Sequence, residues 1–241
     1  MQHVTLRQQA YAKIKEKLIL GEFPAGSSLS ETQLAKDLGM SRTPIREAIR
    51  QMEMEGILEY SPRFSVVVKK PTESLMEEMF GVREALEAYA SSEAALSITP
   101  KAIKKLEKIL ATMESIAEEF QNLGTEYLAD DAQRRYNNAD MAFHSVIVEA
   151  SDNAYLTKLV KDTKILVRVF TSSVYKYDLE LLQQANEFHR RLFEAISSRD
   201  AEKARTTTIE AMHVAKSNVL RRMAEIVDDD EEESMAQLLG L

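Results

Sequence analysis

Apolar positions recur with a helical period along most of this chain, and the first 56 residues hold three short amphipathic stretches in succession. In the first, Tyr11, Ile14 and Leu18 share one face, with Thr5 and Gln8 at capping-box spacing ahead of them and Gly21 as the stop. Leu34 and Leu38 mark the second, which Ser30 and Gln33 open and Gly39 closes in the left-handed conformation. In the third, Ile45, Ala48, Ile49 and Met52 form a buried stripe, while Arg42, Arg46 and Arg50 follow another face at steps of four. Ser41, Thr43 and Pro44 supply its cap and first turn, and Gly56 ends it. The run ILEY, SPRF, SVVVK then has the β-branched content and Pro-bearing turn of a two-stranded hairpin, with Arg63 at its tip.

The segment KKPTES, residues 69–74, breaks the periodicity and sets a domain boundary after residue 70. Past it, Gly is confined to positions 81, 124 and 240, and Pro100 is the only proline after Pro71. Helices are predicted over roughly 73–97, 100–121, 132–150, 153–175, 178–198 and 200–226. The fold class is mainly α: three helices and a small β-wing in residues 1–70, then an all-α bundle of about six helices in 71–227. The acidic run Asp228 to Glu233 is expected to begin a solvated tail over 228–241. Asn153, after Ser151 and Asp152, is read as a helix cap.

Composition narrows the classes. The 241 residues suffice for a sizeable core, and the absence of Cys excludes a disulfide scaffold and thiol catalysis. A polar start and the lack of any apolar run of about 18 residues point to a cytoplasmic chain without signal peptide or membrane span. The net charge of −8 is unevenly spread: residues 1–70 carry 11 Lys plus Arg against 8 Asp plus Glu, and residues 71–241 carry 20 against 31. A basic front module can approach phosphate while an acidic partner domain stays away from it.

Two short helices joined by a tight turn, an arginine face on the second and a β-hairpin after it make a winged helix-turn-helix. An arginine stripe alone describes a solvated face; the caps, turn and hairpin make it a reading helix for duplex DNA. The arginine fork matches guanine O6 and N7 in the major groove, and helix N-terminal N–H groups with Ser or Thr hydroxyls hold phosphate. Arg42, Thr43 and Arg46 are the expected contacts, with Arg63 on the wing.

The stretch GEFPAGSSLSETQLAKDLGMSRTPIREAIRQMEMEGILEY resembles the N-terminal domain of the GntR family of bacterial transcription regulators, most specifically in SRTPIREAI. The resemblance implies that Arg42 and Arg46 touch operator bases or backbone, that Ser41 and Thr43 touch phosphate, and that Glu31 orients an arginine. Thr32 and Phe64 depart from the pattern, since many relatives carry Arg and Gly there.

Three of the four histidines fall on three different predicted helices of the second domain, each with apolar neighbours at helical spacing. His144 has Ile147 and Val148, His189 has Leu192, Phe193 and Ile196, and His213 has Ile209 and Leu220. Lys216 and Ser217 lie one turn ahead of His213. Asp140 stands one turn before His144 and can share an ion with it. Three imidazoles and a carboxylate suit a divalent transition metal, zinc foremost, with nickel, cobalt, iron(II) or manganese as alternatives.

DMAFHSVIVEASDNAYL, EFHRRLFEAISSRDAEKAR and AMHVAKS are similar to the helical effector-binding domain of the FadR-type branch, the FCD domain. The resemblance implies Asp140, His144, His189 and His213 as metal ligands, and a small carboxylate or sugar acid as effector at coordination positions left open. Arg83 matches an arginine common at the start of that domain, and Arg168 interrupts an apolar run. Either can clamp a carboxylate, although Arg83 can also pair with Glu87.

The sequence thus predicts a homodimeric regulator, of repressor type, that reads a palindromic operator and answers to a small organic acid at a metal site. A metal sensor without organic effector is the alternative. A metal-dependent hydrolase is the third reading, and no HExxH or nucleophile motif supports it. The chain is not expected to be an enzyme.

Overall fold

A computed structural model describes residues 4–61, 66–172 and 176–239, with side chains as far as 225. The chain divides into two compact units, one formed by Met1–Thr72 with Ile165–Ser173, the other by Glu73–Lys164 with Val174–Leu241. The first helical domain boundary read from sequence misses one feature of this division: the short segment 165–173 groups with the N-terminal unit.

The N-terminal unit holds α1 (Leu6–Ile19), α2 (Glu31–Asp37) and α3 (Arg42–Met54). Thr5 caps α1 with a complete capping box to Gln8. At α2 the box is half made: Ser30 accepts from the Gln33 N–H, while the Gln33 side chain turns to Asp37 at 2.7 Å. Gly39 and Gly56 have φ of +62° and +75°, the left-handed geometry expected after α2 and α3. On α1 the fully buried residues are Ala10, Ile14 and Leu18, and Tyr11 is half-buried at the edge of that face. α3 packs against both α1 and α2, and Leu34 with Ile45, Ala48, Ile49 and Met52 are all at or near zero exposure. Burial of each large aliphatic in such a core stabilises by about 1.5–3 kcal/mol.

The wing is a three-stranded antiparallel sheet, not two strands. β1 (Ser28–Leu29), β2 (Leu58–Tyr60) and β3 (Val66–Val68) lie in the order β1-β3-β2, with Ser28 opposite Val67 and Tyr60 opposite Val66. A two-residue strand carries no alternation of its own, so sequence periodicity could not reveal β1. Arg63 and Phe64 lie outside the described residues.

The second unit contains α4 (Glu73–Ser97), α5 (Pro100–Leu123), α6 (Asp130–Ala150), the start of α7 (Ala154–Thr171), α8 (Leu179–Ser197) and α9 (Ala201–Leu239). Six helices were expected here, and the described residues form six. Pro100 sits in the first turn of α5 behind the capping Thr99, and Asn153 caps α7 by accepting from the Leu156 N–H at 3.0 Å. One core runs through Ile98, Leu106, Met113, Phe120, Tyr136, Phe143, Leu182 and Ile196. Tyr136 donates a buried hydrogen bond to Asn186 Oδ1 at 2.8 Å, fixing α6 against α8. Where an acidic tail was expected, the backbone of α9 continues as helix through the acidic run to Leu239. No Gly or Pro interrupts 201–239, and Glu, Ala, Met and Leu all favour the helix.

Candidate metal centre and DNA-reading face

Asp140 and His144 lie one turn apart on α6, and His189 faces them from α8. Leu182, His189, Leu192 and Ile196 share the buried stripe of α8, so the periodicity that builds the core also turns this imidazole inward. His189 Nε2 is 3.1 Å from Asp140 Oδ1 and 3.3 Å from His144 Nε2, and His144 Nε2 is 3.5 Å from the same Asp140 oxygen. The ring of Phe143 meets both imidazoles edge to face, at 5.7 and 5.0 Å between centroids.

That triangle fits a metal. Donors about 2.1 Å from one ion stand about 3.0 Å apart at right angles and about 3.4 Å apart at the tetrahedral angle. Two imidazole nitrogens and one carboxylate on a single face leave other positions open, as in two-His-one-carboxylate centres. Burial, then the neighbouring Lys164 ammonium, pushes His144 below the usual imidazole range, against Asp140 and Glu87; a neutral imidazole is the form that ligates. Burial opposes ionisation of Asp140, but its interactions with His144 and His189 outweigh it and hold the carboxyl well below its usual range. Nδ1 of His189 is buried with no hydrogen-bond partner.

The fourth expected ligand is not brought in. His213 is 60% exposed at its side chain, and its Nε2 lies 2.8 Å from Glu84 Oε2. The buried stripe of α9 runs through Ala204, Thr208, Met212 and Val219, and His213 is about 100° around the helix from Met212. Its apolar neighbours in sequence belong to the helix flank, not to the stripe.

Arg83 and Glu87 form a pair, as sequence allowed, but a buried one: Arg83 Nε donates to Glu87 Oε1 at 2.8 Å, and the two are 8% and 2% exposed. Lys164 Nζ donates to Glu87 Oε2 at 3.3 Å, and His144 Nδ1 stands 3.7 Å from the same oxygen. Burial raises the Glu87 pKa, yet Arg83, Lys164 and His144 together bring it down to about 2. Glu87 and Lys164 therefore join the site, and sequence reading passed over Lys164. The available signal was its position four residues after Val160 and three before Val167, on the apolar stripe of α7. Arg168 is half-buried and belongs to the segment that groups with the N-terminal unit.

On α3, Arg42 and Arg46 are exposed on the face opposite the core. Both reach Glu31: Arg46 donates through Nε and Nη2 at 3.2 and 3.0 Å, and Arg42 through Nη2 at 3.4 Å. The hydrogen bond from Arg46 lowers the Glu31 pKa despite partial burial. Ser41 occupies the N-cap of α3 without making a side-chain cap bond, and Thr43 is exposed in the first turn. Hydroxyls, guanidinium groups and a helix N-terminus thus share one surface, which suits phosphate and base edges.

Comparison with known proteins gives the same two parts. Residues 6–68 match the family described as bacterial regulatory proteins, gntR family, and residues 78–214 match the FCD domain. An uncharacterized HTH-type transcriptional regulator of Bacillus subtilis (strain 168), YdhC, is 30% identical over 82% of this chain and 83% of its own length. The gluconate operon transcriptional repressor of the same organism is 25% identical over 83% of this chain and 78% of its own. The solved structure of E. coli McbR/YncC shares the fold, with a TM-score of 0.76 at 22% identity over 91% of this chain and 99% of that one. No helix among the described residues is long and apolar enough to cross a membrane.

Proposed function

This chain belongs to the GntR family and carries an FCD domain, and from that premise we propose that it is a homodimeric, metabolite-responsive repressor whose helical domain holds a divalent metal at Asp140, His144 and His189. The family makes it a DNA-binding transcription regulator; the metal, the effector and the dimer are the proposal. The observation that carries it is the mutual approach of three ligand atoms within 4.8 Å in the C-terminal helical domain.

Bound there, the metal supplies a Lewis-acidic cation with open positions for an anion. Asp140 and the two imidazoles hold it, Phe143 fixes the rings from the side, and Glu87 faces the far nitrogen of His144. Arg83 and Lys164 place positive charge beside these groups, which favours an acidic effector. The effector class is a small carboxylate or sugar acid, in keeping with a relative named for a gluconate operon. Effector binding shifts the operator affinity by a coupling of about 1–3 kcal/mol. Arg42, Arg46, Ser41 and Thr43 make the DNA contacts, with Glu31 orienting the two arginines and Arg63 on the wing.

The test is operator selection from a genomic fragment library, followed by gel shifts of the selected fragment with dialysed and zinc-loaded protein, with and without gluconate and related acids. Metal-dependent binding that an acid alters supports the reading. Binding indifferent to both metal and acids rejects it.

A further inference from the structure

We propose that Lys164 is an internal counter-cation, through which the Asp140, His144 and His189 centre holds a metal weakly alone and tightly together with a doubly charged acid. The inference rests on the metal reading above and concerns which ligand that site takes.

Lys164 occupies a core position on α7, and its side chain is 13% exposed. Its ammonium is 3.3 Å from Glu87 Oε2, the oxygen that also stands 3.7 Å from His144 Nδ1. A single buried carboxylate therefore connects the lysine to a ligand ring, while its other oxygen is held by Arg83 at 2.8 Å. Burial draws the Lys164 pKa down, and the Glu87 and Asp140 carboxylates oppose that.

In the form that ligates a metal the imidazoles are neutral, and Arg83 and Lys164 then stand against the two carboxylates of Glu87 and Asp140. The cluster is electrically complete before any ion enters. A divalent cation adds two positive charges among groups largely removed from water, where uncompensated charge is costly. One singly charged acid removes half of that excess. A small chelating dianion, such as a dicarboxylate, removes all of it, and metal and dianion each raise the affinity for the other. A site without the lysine would take the metal more readily and gain less from the second negative charge.

The test measures zinc affinity of the full chain by competition with a chromogenic chelator at fixed pH, alone, with malonate and with acetate. Wild type is compared with Lys164→Met, Lys164→Gln, Lys164→Arg and Asp140→Asn, each checked by circular dichroism. Removal of the charge in either neutral variant is expected to tighten zinc binding about tenfold and to shrink the gain from malonate, while Lys164→Arg follows wild type. Malonate, and not acetate, is expected to tighten zinc binding to wild type by about tenfold. Equal zinc affinities for wild type and the neutral variants, or an equal malonate gain in both, would overturn the role of Lys164 while leaving the metal site standing. Zinc binding unaffected by Asp140→Asn would overturn the metal reading and this inference with it.

Discussion

Glu31 stands in the first turn of α2 and grips Arg46 of α3 from a position 15 residues earlier in the chain, its carboxylate 3.0 Å from Nη2. The pair spans the turn between the two helices and holds the direction of the guanidinium. Positioned donors lose less freedom on meeting a base or phosphate than free ones.

Arg46→Ala is therefore expected to weaken specific operator binding by about 1–3 kcal/mol, and to lower the salt dependence if Arg46 meets phosphate. Glu31→Gln should cost less, about 1 kcal/mol, by loosening the same arginine. Quantitative gel shifts at two salt concentrations measure both. An unaltered footprint for Arg46→Ala would remove α3 from its reading role.

Metal content separates the geometric ligand set from the one implied by resemblance. His189→Ala and Asp140→Asn should lower bound zinc well below one equivalent, and His213→Ala should leave it unchanged. Elemental analysis after gel filtration gives the answer. Zinc lost on substitution of His213 would restore it as a ligand.

Two glycine substitutions should act in opposite directions. Gly39 has φ of +62° and nothing within 4 Å of an added Cβ, so Gly39→Ala meets only the backbone penalty, about 1–2 kcal/mol of destabilisation. Gly81 lies within α4 with equally open surroundings and no positive φ, so Gly81→Ala should stabilise by about 0.5–1 kcal/mol. Thermal unfolding of the two variants beside wild type tests both signs at once.

Acid should find Glu87. Its pKa is brought from an ordinary 4.5 to about 2, so the ionised form stabilises the fold fully above 4.5 and that contribution is lost as pH falls toward 2. The loss assigned to this carboxylate is about 3 kcal/mol over that interval. Glu87→Gln starts less stable at neutral pH, because Arg83 and Lys164 lose their partner, and should show a shallower decline below pH 4.5. Urea unfolding at a series of pH values checks this, and parallel pH profiles for the two proteins would refute it.

Much of this fold is legible because helix periodicity and end signals agree. Thr5 with Gln8, Gly39, Gly56 and the stripe from Ile45 to Met52 each carry a local physical instruction, and the structure follows them. Asp140 and His144 were legible for the same reason, being one turn apart on one helix. His213 was not, because a sequence shows which residues share a face but not the phase at which that face meets its neighbours. The shift from Met212 to His213 is enough to trade the core for Glu84. Lys164 was missed because a charged residue on an apolar stripe finds its explanation across the bundle, in Glu87, 77 residues away in sequence.

The pairing of Ser28 and Leu29 with β3 places the inner strand of the wing between two neighbours and leaves only short outer edges. Sheet borders of two and three residues offer little template for a stray chain, which protects this head from edge-to-edge aggregation. It also stitches the linker before α2 to the hairpin after α3. The wing cannot detach while the helices persist, so the whole head should melt as one cooperative body, with amide protons of Val66 to Val68 exchanging no sooner than those of α3.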